Sequence, residues 1–517
     1  MVVARKALIA VGVLVVIGVV VGIIINFTSG GDNENANTRT SGKSLTNTVR
    51  DRTPDVSESD LLTNSTSNSS GSTFYEPESD PEEAKVALTM IAIGDWGATT
   101  DKPGSCCNKY RKVANDSLEM KIDYWSQINI AELMAQAASD IKPLRIIGHG
   151  DNIYWNGAGP GDIEYRMETT FESVYDQPEL KGIPWINVVG NHDLGGSEYI
   201  CGDKDYNFRE CKSTEELLKY LNLKFTLQQK YKSANSDRWK LSDHYYVESV
   251  KANGVSVDIF NIDTNFADSH GVMQICCQCY GYVKKKDLSA AEAKKLGSTC
   301  NDRIPGDELC AGGNIEMYNA CADTIKSWWD DSLKQVKRDL MASTATWKVI
   351  NSHYSPHFHM SEDKMKEWFL ITKEGGAHVW LNGHTHGFNH DISNWGTHFY
   401  ENGGGGGIQS ETSGMPPMVA KKYVKHAWIA AGNPYGFFML HFSEDWLKTE
   451  FVTFDNSWTF SINKDEIVKG GYQKVGSSRS TLAQCVHHET LLLAFSTMRI
   501  LKRSLADCSD SRCDCEK

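Results

Sequence analysis

Val86-Ala87-Leu88-Thr89-Met90-Ile91-Ala92-Ile93-Gly94-Asp95-Trp96-Gly97 is the stretch that decides how this 517-residue chain folds. Eight uncharged, mostly apolar residues make a run of strand length that stops at a Gly-Asp-x-Gly turn. Continuous apolar runs of this kind belong to strands buried on both faces, as in parallel sheets. The arrangement recurs four times. Gly150-Asp151-Asn152-Ile153-Tyr154 follows a strand-like run at 144–148, and Gly190-Asn191-His192-Asp193 follows one at 185–189. Ser352-His353 follows 347–351, and Gly383-His384-Thr385-His386 follows 377–382.

Another strand is expected at 255–262, and two more at 437–442 and 446–454 beyond the last block. Between these runs lie helical stripes. Trp125, Ile128, Leu133 and Ala137 predict a helix over 124–138, and Ile325, Trp329, Leu333, Val336 and Leu340 predict one just before the fourth block. Alternating strands and helices predict an α/β domain with at least partly parallel sheets. In such folds ligands gather at the carboxyl ends of the strands, where all five blocks stand.

Their side chains suit hard metal ions. Asp95 and Asp151 are anionic oxygen ligands, and a carboxylate can bridge two cations about 3.5–4 Å apart. Tyr154 ligates as a phenolate only beside a strongly acidic ion, which points to ferric iron; it could instead pack beside Trp155. Asn191 is a neutral oxygen ligand. His384 and His386 at i, i+2 point the same way in extended chain, and His353 ends its own strand. His192, beside these ligands, fits a general acid, with Asp193 either orienting its second ring nitrogen or capping a turn. The ordered set reads as a two-metal hydrolase.

These five blocks resemble the metallophosphoesterase superfamily, and within it the purple acid phosphatase branch in its small tartrate-resistant style. Gly97 in the first block and Tyr154 in the second carry the branch, because other relatives have Asp-x-His in the first block and lack the tyrosine. The resemblance covers about residues 86–454 and implies a four-layer αββα sandwich with mixed sheets. It implies Fe(III) on Asp95, Asp151, Tyr154 and His386. A divalent iron, zinc or manganese ion would sit on Asn191, His353 and His384, with Asp151 bridging. The activity implied is that of an acid phosphatase on small-molecule or protein-borne phosphate monoesters. A metal-held hydroxide is the nucleophile and His192 the general acid; Asp193 is grouped with His192. The family's accessory histidine, about nine residues after the fourth-block ligand, is Glu362 here. His357 and His359, earlier in a shortened loop, are the substitute candidates for substrate binding. A phosphodiesterase or nucleotidase of the same superfamily, and a non-catalytic membrane-tethered module, are the alternatives.

The ends of the chain differ from its middle. Residues 7–25 are uncharged and apolar after Arg5 and Lys6, long enough for one membrane span with the rest translocated. No small-residue cleavage site stands out, so a signal-anchor is expected over a cleaved signal peptide, which would make the protein secreted. Residues 26–84, rich in Ser, Thr, Asn, Asp and Gly, read as a disordered stalk. The catalytic domain is expected over 85–460, with a Cys-rich insertion at about 270–323, followed by an extension over 461–517.

Fourteen cysteines in a translocated chain predict disulfides of open connectivity, against a zinc knot in the 276–321 cluster. Sequons at Asn26, Asn64, Asn68 and Asn115 suit a luminal or extracellular glycoprotein. A net charge of −13 with no basic run argues against a nucleic-acid partner. Oligomeric state is not readable.

Overall fold

The computed structural model describes residues 85–98, 100, 117–196, 198–205 and 207–481. The apolar segment 7–25, the polar stretch up to residue 84, the four sequons, and Cys106, Cys107, Cys485, Cys508, Cys513 and Cys515 lie outside the described residues. Among the described residues no helix is long and apolar enough to cross a membrane.

Among the described residues, fourteen strands form two mixed sheets of seven. In chain order they are β1 (Leu88–Ile93), β2 (Arg145–Gly148), β3 (Trp185–Asn187), β4 (Trp239–Lys240), β5 (Tyr246–Ala252), β6 (Val255–Asn261) and β7 (Trp347–Asn351). Then follow β8 (Val379–Asn382), β9 (Phe388–Ser393), β10 (His398–Asn402), β11 (Val424–Ile429), β12 (Phe437–Phe442), β13 (Trp446–Phe454) and β14 (Tyr472–Thr481). The first sheet runs β14-β13-β12-β1-β2-β3-β4 and the second β11-β9-β10-β8-β7-β6-β5. β1 to β4 are parallel, as are β6, β7, β8 and β10; the outer strands pair antiparallel. The parallel strands at the middle of each sheet are the apolar runs that end in the five blocks.

The two sheets share an apolar cluster. Leu88, Met90 and Ala92 of β1 meet Val257 and Ile259 of β6, Val349 of β7 and Leu381 of β8. Alternation along β1 then sends Ile91 and Ile93 to the other face, the period-two rule of a strand. There they pack with α1 (Ser126–Ile141), through Ile130, Leu133 and Met134, and with α2 (Thr214–Lys230), through Leu217, Leu221 and Phe225. The outer face of the second sheet (Phe260, Ile350, Trp380, Phe399) is covered by two further helices. Between α2 and these helices in the chain lie α3 (Val272–Cys277) and α4 (Cys279–Lys285). The covering helices are α5 (Ile315–Ala342), by Trp329, Val336 and Leu340, and α7 (Glu362–Gly375), by Met365, Trp368 and Phe369; α6 (Pro356–His359) precedes the latter.

Three local outcomes differ from the expectations. The helix expected over 124–138 breaks at Trp125, whose backbone leaves helical geometry while its indole N–H donates to the Ile462 carbonyl 2.9 Å away. The Cys-rich stretch is disulfide-tied as expected and largely exposed over 284–308, but its cysteines are anchored in the core. Cys276–Cys321, Cys277–Cys310 and Cys279–Cys300 are disulfides, so no thiolate is left there for zinc, and these cysteines are buried in the cluster under α1 and α2. A fourth disulfide joins Cys201 and Cys211, and the set places this part of the chain in an oxidising compartment. Finally, the boundary at 460 cuts through a sheet. β14 lies beyond it and pairs along β13, and the buried Glu450 carboxylate clamps three strands by binding His441 Nε2, Lys448 Nζ and Lys474 Nζ at 2.9–3.0 Å.

Candidate metal centre

All five blocks emerge at the carboxyl ends of β1, β2, β3, β7 and β8. The two sheets are stitched there by polar side chains. Asn351, at the end of β7, donates to the Gly148 carbonyl (3.0 Å) and to Asn261 Oδ1 (2.8 Å), and its own Oδ1 meets His149 Nδ1 at 2.7 Å. The turns are tight enough to require glycine. A Cβ on Gly383 would lie 2.2 Å from Asp95 Oδ2, and one on Gly190 would lie 2.3 Å from Asp151 Oδ1. The run Gly403–Gly407, which has no assignment from sequence, lies against the first block: Gly405 N–H donates to the Gly94 carbonyl and Gly407 N–H to that of Asp95. Asp95, Asp151 and His384 sit at φ of 55°, 51° and 71°, a left-handed region that Asp and His tolerate better than most residues. Such backbone persists where surrounding contacts over-determine it.

The side chains these turns present converge. One ligand atom each from Asp95, Asp151 and His353 lies within 4.8 Å of the others, and all three residues are fully buried. The Tyr154 hydroxyl lies 3.1 Å from Asp95 Oδ1 and 2.9 Å from Asp151 Oδ2. His386 Nε2 is 3.7 Å from Asp95 Oδ1. On the other side, His353 Nε2 is 3.1 Å from Asn191 Oδ1, 3.2 Å from His384 Nδ1 and 3.6 Å from Asp151 Oδ1. All seven residues singled out as ligands thus stand in one place, four from the first sheet's turns and three from the second's.

Proton bookkeeping says what this place lacks. His353 Nδ1 is 2.8 Å from the His149 carbonyl, which can only accept, so Nδ1 carries the hydrogen and Nε2 is a bare lone pair. That lone pair faces the Asn191 oxygen and the Asp151 carboxylate, an acceptor among acceptors. Burial and the neighbouring Asp151 push the Asp95 carboxyl well above its usual range. Burial, reinforced by both carboxylates, pushes the Tyr154 phenol far up as well. Burial lowers His353, and with the imidazoles around it lowers His384 much further, which keeps both in the neutral, ligating form. Buried carboxylates, neutral imidazoles and the His353 lone pair gathered at one place fit hard or borderline cations.

His192 lies at the edge of this cluster. Its backbone N–H donates to Asp151 Oδ1 (3.0 Å) and its ring Nδ1 is 2.7 Å from the Trp155 carbonyl. That carbonyl fixes Nδ1 as the donor of the neutral ring. The pairing expected with Asp193 is therefore replaced. The Asp193 carboxylate instead accepts from the backbone N–H groups of Gly190 (2.8 Å), Asn152 (3.1 Å) and Ile153 (3.0 Å) and from Asn152 Nδ2 (3.2 Å). It braces the second and third blocks against each other.

Neither accessory histidine presents a donor to the site. His357 Nε2 is 3.1 Å from the buried Asp391 Oδ2, away from the pocket lining. His359 does line the pocket, but both of its nitrogens are engaged. Nδ1 accepts from Ser355 N–H (3.1 Å), so Nε2 carries the hydrogen and donates to Thr385 Oγ1 (3.0 Å), and that hydroxyl sits 3.2 Å from Glu401 Oε1.

The pocket over the cluster has a volume of about 430 Å³. Its floor includes Asp151, Asn191, His192, His384 and His386. Sequence reasoning missed its walls: His270, Gln274 and Tyr280 come from the Cys-rich stretch, and Glu411 from the loop after the glycine run. Only the position of that stretch, upstream of α5, hinted that it shapes an entrance.

Known proteins resemble this chain over parts of its length. Tartrate-resistant acid phosphatase type 5 of Homo sapiens is 32% identical over 115 residues, 22% of this chain and 29% of that protein. The chain thus matches under a third of the length of such relatives. Purple acid phosphatase 7 of Arabidopsis thaliana is 22% identical over 376 residues, 72% of this chain and 83% of that protein. Among solved structures, GAP50, the anchor in the inner membrane complex of Plasmodium, superposes with a TM-score of 0.42 at 16% identity, covering 76% of this chain and 89% of that one. The family model described as calcineurin-like phosphoesterase matches residues 88–388, more than half of the 517 residues, and the chain belongs to that family.

Proposed function

We propose that this protein is a metal-dependent acid phosphatase that hydrolyses phosphate monoesters at a dinuclear centre on Asp95, Asp151, Tyr154, Asn191, His353, His384 and His386. The observation that carries the reading is the convergence of all seven side chains, with the His353 Nε2 lone pair facing the Asn191 oxygen and the Asp151 carboxylate. Asp95, Asp151, Tyr154 and His386 suit a ferric ion, and Asn191, His353 and His384 a divalent one, with Asp151 placed between. Bound there, the ions supply the positive charge that draws in the phosphoryl oxygens and acidifies the attacking water.

The chain's own groups do the rest. His192, with Nδ1 tied to the Trp155 carbonyl, presents Nε2 toward the pocket and protonates the leaving oxygen. Asp193 holds the turns of Asp151 and Asn191 in register. The shared inter-sheet cluster, flanked by two helix-covered faces, supports a four-layer αββα sandwich. The apolar segment 7–25 acts as a signal-anchor on this reading, with the catalytic domain luminal or extracellular, where the disulfides persist.

The test is hydrolysis of p-nitrophenyl phosphate across pH, with metal content and the visible spectrum recorded on the same sample. The expected result is two metals per chain, an acid optimum, and an absorption band that Tyr154→Phe removes. Asp151→Asn should lose both metals and activity. Full activity in Asp151→Asn, or a metal-free active protein, sinks the assignment; a preference for diesters moves it to a phosphodiesterase.

A further inference from the structure

Beyond the metal cluster, the pocket has a chemical character of its own. No lysine or arginine is among the described residues that line it. A phosphate pocket without fixed cations leaves the phosphoryl group to the floor, and the alcohol portion of an ester then points at the walls. Those walls carry two half-buried aromatic rings, Tyr280 from α4 and Phe358 from α6, and one carboxylate, Glu411. Glu411 accepts from the His386 backbone N–H at 3.2 Å, and its Oε1 lies 3.4 Å from His386 Nδ1. It therefore stands one imidazole width outside the cluster, fixed in place by its backbone contact but still 49% exposed in its side chain.

We propose that Glu411, with Tyr280 and Phe358, selects substrates by the charge of the alcohol portion. Phosphate monoesters with a cationic alcohol portion are favoured, uncharged ones are accepted, and those bearing a further carboxylate or phosphate are disfavoured. The inference rests on the phosphatase reading above. Its physics is simple. A charge about 6 Å from a carboxylate at a partly hydrated rim is worth about a factor of ten in either direction. Aromatic faces add a few-fold preference for an ammonium group and nothing for an anion. The same carboxylate also repels the phosphoryl dianion, but that cost is common to every monoester and cancels in a comparison between them.

The experiment compares kcat/KM for choline phosphate (cationic), glycerol 3-phosphate (uncharged) and 3-phosphoglycerate (anionic) on the metal-loaded protein at low salt. The expected order is the order given. In Glu411→Gln the ratio of the cationic to the anionic ester should fall about a hundredfold, about tenfold from each side, while Glu411→Asp retains most of it. Phe358→Leu and Tyr280→Leu should lower choline phosphate about threefold against glycerol 3-phosphate. If Glu411→Gln lowers all three rates together, in step with metal content, Glu411 serves only to hold His386 and the inference is overturned. If the protein hydrolyses none of the three, the phosphatase reading fails separately. Calorimetric titration of the same esters then decides the charge preference, and equal affinities overturn it.

Discussion

Replacing Asp193 by alanine removes one carboxylate and strands several donors. Gly190, Asn152 and Ile153 lose the acceptor for their backbone N–H groups, held now at 2.8, 3.1 and 3.0 Å, and Asn152 Nδ2 loses a partner at 3.2 Å. Asp193 and Asn152 are fully buried, so water does not reach the vacated positions without rearrangement. An unsatisfied buried donor costs about 1–3 kcal/mol, and neighbouring losses are less than additive, so the total is about 4 kcal/mol. Against a typical stability of about 5–15 kcal/mol that is a large fraction. Urea unfolding followed by tryptophan fluorescence measures it. Asp193→Asn, which keeps one acceptor oxygen, should fall about halfway. Activity discriminates further. If Asp193 acted by orienting His192, its loss would weaken proton donation and slow alkyl phosphates far more than p-nitrophenyl phosphate, whose leaving group needs little help. A brace predicts the opposite pattern: an equal loss on both substrates, alongside reduced metal content. A variant within about 1 kcal/mol of the parent, with a rate defect confined to poor leaving groups, would refute the brace.

Lys224 gives a pH test. Burial lowers its ammonium from 10.5 to about 7 against the pull of Asp162 and Asp205, so between these values the unfolded chain binds the extra proton and stability rises with pH. Lys224→Met should flatten urea-unfolding stability between pH 7.5 and 9.5 by about 2 kcal/mol relative to the parent, and identical slopes would count against a buried, neutralised lysine. Chelation of the bound metals should lower the thermal midpoint, because ions bound at 1,000 times their Kd contribute about 4 kcal/mol to the folded state alone; an unchanged midpoint after verified metal loss would argue that the cluster holds none.

Much of this site is legible in sequence because its ligands sit where strands end. Asp95 after β1, Asp151 after β2, His353 after β7 and His384 after β8 each follow an apolar run whose burial requires a turn at that point. What holds those ligands is not legible. His353 and His192 are oriented by the carbonyls of His149 and Trp155, and a main-chain oxygen leaves no mark on residue type. The adjacency of His192 and Asp193 suggests a pair, yet at the turn their side chains part, one toward the pocket and one toward three backbone amides. His357 and His359 are the histidines nearest the expected place in sequence, but α6 places one against Asp391 and locks the other between Ser355 and Thr385. β14 escapes for a different reason. Its Gln473, Lys474, Ser477, Ser478 and Arg479 give no apolar alternation, because it lies at the sheet's edge and is held by main-chain pairing and the Glu450 clamp.

The position of the site between the sheets follows from the same physics. Each sheet alone ends in turns with inward-facing carboxylates or imidazoles that apolar packing cannot satisfy. The inter-sheet cluster of Leu88, Met90, Val257 and Val349 brings the two sets of turns together without regard to their polarity. Asn351 resolves part of the conflict by bonding across to Gly148 and His149, whose carbonyl in turn fixes His353. The carboxylates of Asp95 and Asp151 and the His353 Nε2 lone pair are left gathered at one point of the seam. A cation there satisfies donors from both sheets at once. The candidate site thus arises as a consequence of burying the strands, and the Cys-rich stretch and the segment around Glu411 add its walls.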